Sequence, residues 1–307
     1  MKIFFIVLLI YLIISFILFL LVSLKLPLLS KILDKLAGME LNKYKDMNDK
    51  GLEWFNKIKY KDVFIKSKDN LKLHAIYIDN KKSDKVMILS HGYRSTARRD
   101  IYPSCHEYYK LGFSLLIIDQ RTSNLSKGHF ITYGYKERED LSLWIDYIHK
   151  KHKRIILAGI SMGATSTLMT PEINNKIEYI IVDSGYINAY EETKYTLTKL
   201  VKIPAFMFMP TINIFCILIA RFNLKKVDTV KALENIDNIP ILFVHGEEDL
   251  FVPIMNTYTN YDKYKGPKDI LTIPDANHGM GYLVDRDKYI KKLKAFIKKA
   301  EKQNLKK

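Results

Sequence analysis

Cysteine is almost missing from this chain of 307 residues, which carries only Cys105 and Cys216. Two cysteines so far apart make no disulfide framework, and without a Cys-x-x-Cys spacing they offer neither a zinc knuckle nor a dithiol redox site. Both are expected to be small buried residues. Acidic residues are also in deficit, with 33 Asp+Glu against 49 Lys+Arg and a formal net charge of +16. Such an excess invites a nucleic acid or an anionic membrane. No RRM, zinc-finger or helix-turn-helix signature is present, however, and the lysines are spread along the whole chain. Nucleic-acid binding is therefore not expected. Internal repeats and low-complexity linkers are lacking too, which excludes a solenoid or an array of small modules.

Charge is wholly absent between Ile3 and Leu24, where Tyr11, Ser15 and Ser23 are the only polar breaks. As a helix this run spans about 33 Å, enough to cross the hydrocarbon core of a bilayer. No small-residue cleavage site of the A-x-A type comes after it; the next residues are Lys25-Leu-Pro-Leu-Leu. Residues 1–24 are thus expected to be an uncleaved, single-pass anchor that holds the protein at the cell membrane. Lys2 flanks one end and Lys25, Lys31 and Lys35 flank the other, so lysine bias does not choose a side. Residues 25–58 are charged and mixed, with a weak helical pattern, and are expected to form a stalk or linker helix.

Beyond residue 58 the chain is rich enough to build a core. The whole sequence is 48% hydrophobic and 12% aromatic, and residues 59–305 have the length of one catalytic-sized domain. Strand-like runs occur at 60–67, 71–79, 85–92, 113–121, 154–161, 178–186, 240–246 and 269–279. The first two are separated by Lys68-Asp69-Asn70, a hairpin turn. The later ones are continuously apolar, as strands covered on both faces of a parallel sheet must be. Helical patterns lie between them, near 97–111, 136–152, 162–170, 226–236 and 254–265. A final helix over 283–303 sets Ile290, Leu293, Phe296 and Ile297 against a lysine-rich face. This alternation predicts an α/β fold: an eight-stranded, mostly parallel sheet with helices on both faces. The rhythm breaks at about 186–225, where "IPAFMFMPTINIFCILIARF" (203–222) is almost wholly apolar. Pro204, Pro210, Thr211 and Asn213 interrupt it, so a Met- and Phe-rich cap over the sheet is expected rather than a second span.

Chemistry concentrates at "IILAGISMGAT" (155–165). Glycines two residues to either side of Ser161, after a strand and before a helix, predict a tight strand-turn-helix that exposes the hydroxyl above the sheet's carboxyl edge. Such a hydroxyl needs a base, and His278 in "PDANHGM" lies just past the last strand. His74, His106, His149 and His152 fall in strand or helix patterns, and His129 is a loop residue and an outsider for the role. The base in turn needs a carboxylate to fix its tautomer. Asp249 in "VHGEEDLFVP" sits directly after a strand, with Glu247 and Glu248 as neighbours; Asp183, at the end of the preceding strand, is the rival acid. Two backbone donors for an oxyanion are expected from Tyr93, after Gly92 in "SHGYRST", and from Met162, after the serine. No metal or organic cofactor is called for.

These motifs, in order, resemble the α/β-hydrolase superfamily over roughly residues 60–300. "SHGY", "DQR" with "TYG" and Trp144 after it, "GISMGA", "VDSGY", "HGEEDLFVP" and "NHG" carry the likeness. More narrowly the chain resembles membrane-anchored hydrolases of low-GC Gram-positive bacteria related to the BAAT and prolyl-oligopeptidase-like branches. The resemblance implies Ser161 as nucleophile, Asp249 as acid, His278 as base, and the amides of Tyr93 and Met162 as oxyanion donors. It implies a serine hydrolase that cleaves a carboxylic ester or related acyl bond of a small or lipid-like substrate. A peptidase or acyltransferase on the same triad is the neighbouring alternative, and a non-catalytic binding module of this fold is the distant one. The chain departs from such relatives after Arg121, where Thr122-Ser123-Asn124-Leu125 replaces a small residue and His-Gly. That loop borders the pocket in such folds, so the departure bears on substrate preference.

Overall fold

Six of the eight strand-like runs are covered on both faces, and together all eight make one sheet. The computed structural model describes residues 1–39, 41–81, 83–236 and 238–304; the expected domain end at residue 305 lies outside them. Three helices lead: α1 (Lys2–Ser23), α2 (Pro27–Leu36) and α3 (Lys45–Lys57). The hairpin β1 (Lys61–Lys66) and β2 (Lys72–Ile78) comes next, then β3 (Lys85–Ser90), α4 (Ala97–Asp100), α5 (Tyr102–Lys110) and β4 (Ser114–Asp119). After them stand α6 (Glu137–His149), β5 (Arg154–Ile160), α7 (Met162–Met169) and β6 (Tyr179–Asp183). The long excursion holds α8 (Ala189–Tyr195), α9 (Ala205–Leu218) and α10 (Thr229–Glu234) before β7 (Ile241–Gly246). The chain finishes with α11 (Met255–Lys263), β8 (Lys268–Ile273), α12 (Gly281–Val284) and α13 (Arg286–Asn304).

The strand order is β1-β2-β4-β3-β5-β6-β7-β8. Only β2 runs antiparallel to its neighbours, β1 and β4; from β4 through β8 the pairings are parallel. This is the eight-stranded, mostly parallel sheet expected from the alternation of periods, in the α/β-hydrolase arrangement that the resemblance implies. On one face α5, α12 and α13 pack with Phe55 of α3 against Met87, Ile117 and Tyr179. On the other, α6, α7 and α10 cover Ile88, Leu116 and Phe243. Burial of every residue in β3 after Lys85, and of Ile155 to Gly159 in β5, explains why those runs show no alternation.

Two helical patterns differ from expectation in detail. The one near 97–111 is divided at Ile101, because Pro103 sits in the first turn of α5 and begins a new helix there. The last one is preceded by the separate turn α12.

Residues 25–58 lie against the domain. Asp34 pairs with Arg99 at 2.9 Å, Phe55 stacks on Tyr102, and Asn277 Nδ2 donates to the Ala37 carbonyl at 2.6 Å. Between β6 and β7, α8 and α9 form a third cluster in which Met209, Ile212 and Cys216 are buried with Phe19 of α1. A bridge between Asn188 and Asp228 closes the base of this excursion. The apolar segment around 203–222 is thus a helix laid over the carboxyl end of the sheet, with Pro210 inside it.

Candidate active site

The carboxyl ends of β3, β5, β6 and β7 present their loops to one spot. Ser161 stands between β5 and α7 with φ 57° and ψ −122°, a conformation sparsely populated by residues with a Cβ and stored where surrounding packing enforces it. The enforcement is visible at two glycines. A Cβ on Gly163 would strike the Ser90 and His91 carbonyls, and one on Gly92 would come within 3.1 Å of the Ser161 Cβ. Small residues at these positions let the Ser161 turn sink against the β3 loop.

His278 lies in the loop after β8, and its Nδ1 is 2.7 Å from Asp249 Oδ2. Asp249 Oδ1 accepts the Phe251 and Val252 amides at 2.9 and 2.8 Å, so the carboxylate is held by its own loop. Burial opposes the negative charge, but His278 and His245 outweigh it and hold the carboxyl well below the usual carboxylate range. For His278, burial opposes the positive form, yet the Asp249 carboxylate prevails and raises the ring above its ordinary value. Ser161 and His278 line the same two cavities. Among the described residues no hydrogen bond joins the hydroxyl to the ring; such contacts are commonly loose without substrate and tighten in the complex.

Asp183, the rival acid, is also at the site. Its backbone carbonyl accepts the Ser161 amide at 2.8 Å, while its carboxylate accepts Ser184 Oγ at 2.9 Å and no described bond joins it to His278. Burial pushes its pKa up, which favours a neutral acid. The amides of Tyr93 and Met162 find no acceptor among the described residues. The Tyr93 hydroxyl reaches away, donating to the Val22 carbonyl at 2.5 Å. His129 is exposed, outside the cluster. His74 is buried between Asp119 and Asp62, at 2.6 and 2.9 Å, and His152 bonds the Tyr77 hydroxyl. Among the described residues no group of three or more His, Cys, Asp or Glu could hold a metal ion.

Two residues at the site went unmarked by the sequence motifs. His245, fully buried on β7, lies 3.1 Å from Asp249 Oδ2 and 2.9 Å from the Val252 carbonyl through Nε2. Two acceptors on one nitrogen put the proton there, leaving Nδ1 to accept from Thr257 Oγ1 at 2.7 Å. Glu192 on α8 lines the second cavity beside His278; burial, with Asp249 adding to it, pushes its carboxyl up to about 8 against the pull of His278. The position of His245 in "VHGEED", four residues before Asp249, was the available signal; nothing local marks Glu192.

The cavities differ in character. One, of about 120 Å³, includes Asp34, Arg99, Asp100 and Asp183. The other, of about 100 Å³, is mainly apolar, with Leu18, Val22, Leu197 and Val252 around Glu192 and Arg94. Ser161 sits where they meet, so a molecule bound there could put a polar part on one side and an apolar part on the other.

Comparison with known proteins bears on the family and the fold. A model of the prolyl oligopeptidase family matches residues 110–304. The uncharacterized protein YqkD of Bacillus subtilis (strain 168) is 27% identical over 197 residues, covering 62% of this chain. The match spans 64% of that relative's own length. Among solved structures, the esterase Pf2001 of Pyrococcus furiosus superposes with a TM-score of 0.66 at 24% identity, covering 79% of this chain and 93% of its own. The acylaminoacyl peptidase of Pyrococcus horikoshii gives 0.57 at 18%, covering 81% of this chain and 43% of its own. At these identities the two structures speak for the fold alone.

Proposed function

The chain belongs to the prolyl oligopeptidase family, and we propose that it is a membrane-tethered serine hydrolase that cleaves carboxylic esters through an acyl-enzyme. One observation carries the reading: a serine held in a strained turn lines the same cavities as a histidine whose Nδ1 is bonded to a buried aspartate. In the reading, His278 Nε2 takes the Ser161 proton as Oγ bonds the acyl carbon. The oxyanion rests on the amides of Tyr93 and Met162, and the alkoxide leaves with the proton from His278. Water, deprotonated by the same ring, attacks the acyl carbon, and Ser161 recovers its proton as the acid departs. Asp249 holds the ring with Nδ1–H toward it and stabilises the imidazolium; the Asp183 backbone carbonyl supports the chain beneath the serine by accepting the Ser161 amide.

Tethering is supported by α1, which among the described residues is the one helix long and apolar enough to cross a membrane. A long acyl group rather than a peptide is favoured by the apolar cavity beside Ser161, which suits a hydrocarbon chain better than a polar backbone. The test is covalent labelling. Wild-type protein should react with a fluorophosphonate probe and hydrolyse p-nitrophenyl butyrate, while Ser161→Ala should do neither. A folded wild type that takes no label, or a Ser161→Ala variant that still does, contradicts the reading. An anilide of the same acyl group separates esterase from peptidase.

A further inference from the structure

The membrane helix does not stand clear of the domain. Its last turns are buried at Ser15, Leu18, Phe19, Val22 and Ser23. The carbonyls of a helix's last turn have no partner within the helix, and here the domain supplies them. Tyr93 and Tyr133 both donate to the Val22 carbonyl, at 2.5 and 2.9 Å, and the Ile131 amide donates to Ser23 at 2.8 Å. The Arg94 guanidinium holds the carbonyls of Leu21 and Leu24. Just beyond, Lys25 Nζ donates to the Ser95 carbonyl at 3.0 Å and Ser123 Oγ at 2.8 Å. The loop that carries the Tyr93 amide is therefore fastened to the end of α1. Leu18, Leu21 and Val22 also line the apolar cavity together with Ser161 and His278.

Length then decides how such a helix sits. With the buried residues of α1 confined to Ser15–Ser23, residues 2–14 project past the sheet domain with only α9 alongside, about 20 Å of helix. That is roughly 10 Å short of the hydrocarbon core. A spanning α1 must draw part of the domain into the bilayer with it, to the depth at which interfacial apolar faces usually lie, about 5–10 Å. The part alongside is α9. Tyr11 donates to the Met207 carbonyl at 2.8 Å, and Phe16 and Phe19 pack on Phe215 at 5.4 and 6.0 Å. No charged residue occurs in α9, and Phe206, Ile214 and Leu218 are exposed on its outer face, at 69%, 50% and 61%. A contiguous apolar face of this kind on a soluble protein marks an interaction surface.

We propose that α1 and α9 lie together in the bilayer, and that the cavity between α1 and Ser161 takes the acyl chain of a lipid ester directly from the membrane, with Leu18, Leu21 and Val22 as the wall that sets its length. The inference rests on the hydrolase reading above and adds the source and class of the substrate. The anchor is then a positioning element for the oxyanion loop and a wall of the substrate site.

The experiment uses the full chain in phosphatidylcholine vesicles and compares kcat/KM for p-nitrophenyl palmitate and p-nitrophenyl butyrate. Leu21→Trp, which fills the cavity, should lower the palmitate-to-butyrate ratio tenfold or more, and Leu21→Ala should raise it. A ratio unchanged in both variants, with a wild type that cleaves both esters, overturns the inference and leaves the hydrolase reading standing. A wild type that cleaves neither ester and takes no fluorophosphonate overturns both. Should Leu21→Trp not fold, Leu21→Ala still reads the wall. The bilayer contact is read by Phe206→Trp, whose fluorescence beyond that of the wild type should be quenched by bromine on the lipid chains. Absence of that quenching overturns the membrane seating of α9.

Discussion

Asp249 is shared between two imidazoles, and that sharing governs how His278 titrates. Its Oδ2 faces His278 Nδ1 at 2.7 Å and His245 Nε2 at 3.1 Å, while Oδ1 is occupied by two loop amides. His245 and the amides keep the carboxylate ionised and aimed; the carboxylate then stabilises the protonated form of His278. In the proposed mechanism His278 must be neutral to accept the Ser161 proton, so activity should rise as pH passes upward through a ring pKa that Asp249 has raised. Asp249→Asn removes the charge that raised it. The acid limb of kcat/KM should move to lower pH, and the plateau should fall by about 10⁴-fold, as when a triad aspartate is amidated elsewhere. A pH–rate profile checks both; a limb that stays in place would show that Asp249 does not set the ring's charge. Glu192 adds a second carboxyl near the ring, one that burial keeps protonated until about pH 8.

The strand-turn-helix of β5 and α7 converts a local pattern into a functional position. Its turn packs so closely on the β3 loop that Gly163 has the Ser90 and His91 carbonyls where a Cβ would go. Gly163→Ala must push one backbone from the other, and overpacking of this sort costs about 1–3 kcal/mol. Urea unfolding should show a lower midpoint with an unchanged slope. Fluorophosphonate labelling should slow as well, since the shift falls between the Ser161 turn and the Gly92–Tyr93 loop. A variant as stable as wild type would mean that the turn is looser than its packing implies. Elements elsewhere obey the same logic of local chemistry: Pro103 divides α4 from α5, and Asn188 caps α8 by accepting the Tyr190 and Glu191 amides.

Taken as one body, the molecule joins a basic surface to an apolar end. A net charge of +16 would by itself favour anionic lipid, but such attraction is screened by salt and lost at high pH. The proposed burial of α1 and the outer face of α9 in hydrocarbon would be neither. The full chain should therefore remain in the membrane fraction after washing with alkaline carbonate and with 1 M salt (a strength at which the screening length is about 3 Å). Release by either wash would mean surface attachment through lysines. Retention is the outcome expected of a protein whose helix α1 is inserted and whose catalytic domain is bound to that helix by Tyr93, Tyr133, Arg94 and Lys25.

Much of this was legible in the order of residues alone. The alternation of strand and helix, the antiparallel start, the tight turn at Ser161 and the apolar run at residues 3–24 are all encoded over short stretches, where side-chain period and small residues act on neighbours. So was the order of Ser161, Asp249 and His278 along the chain, since each comes just after its own strand. Folding in three dimensions decided matters of distance. It put His245 against Asp249 and left Asp183 bonded to Ser184 instead of to the ring. It brought Glu192 into the cavity, and it turned residues 18–22 of an expected tether into a wall beside Ser161. Those contacts join segments of chain far apart in sequence, and they depend on strand order and on how helices pack over the sheet, which no local periodicity records.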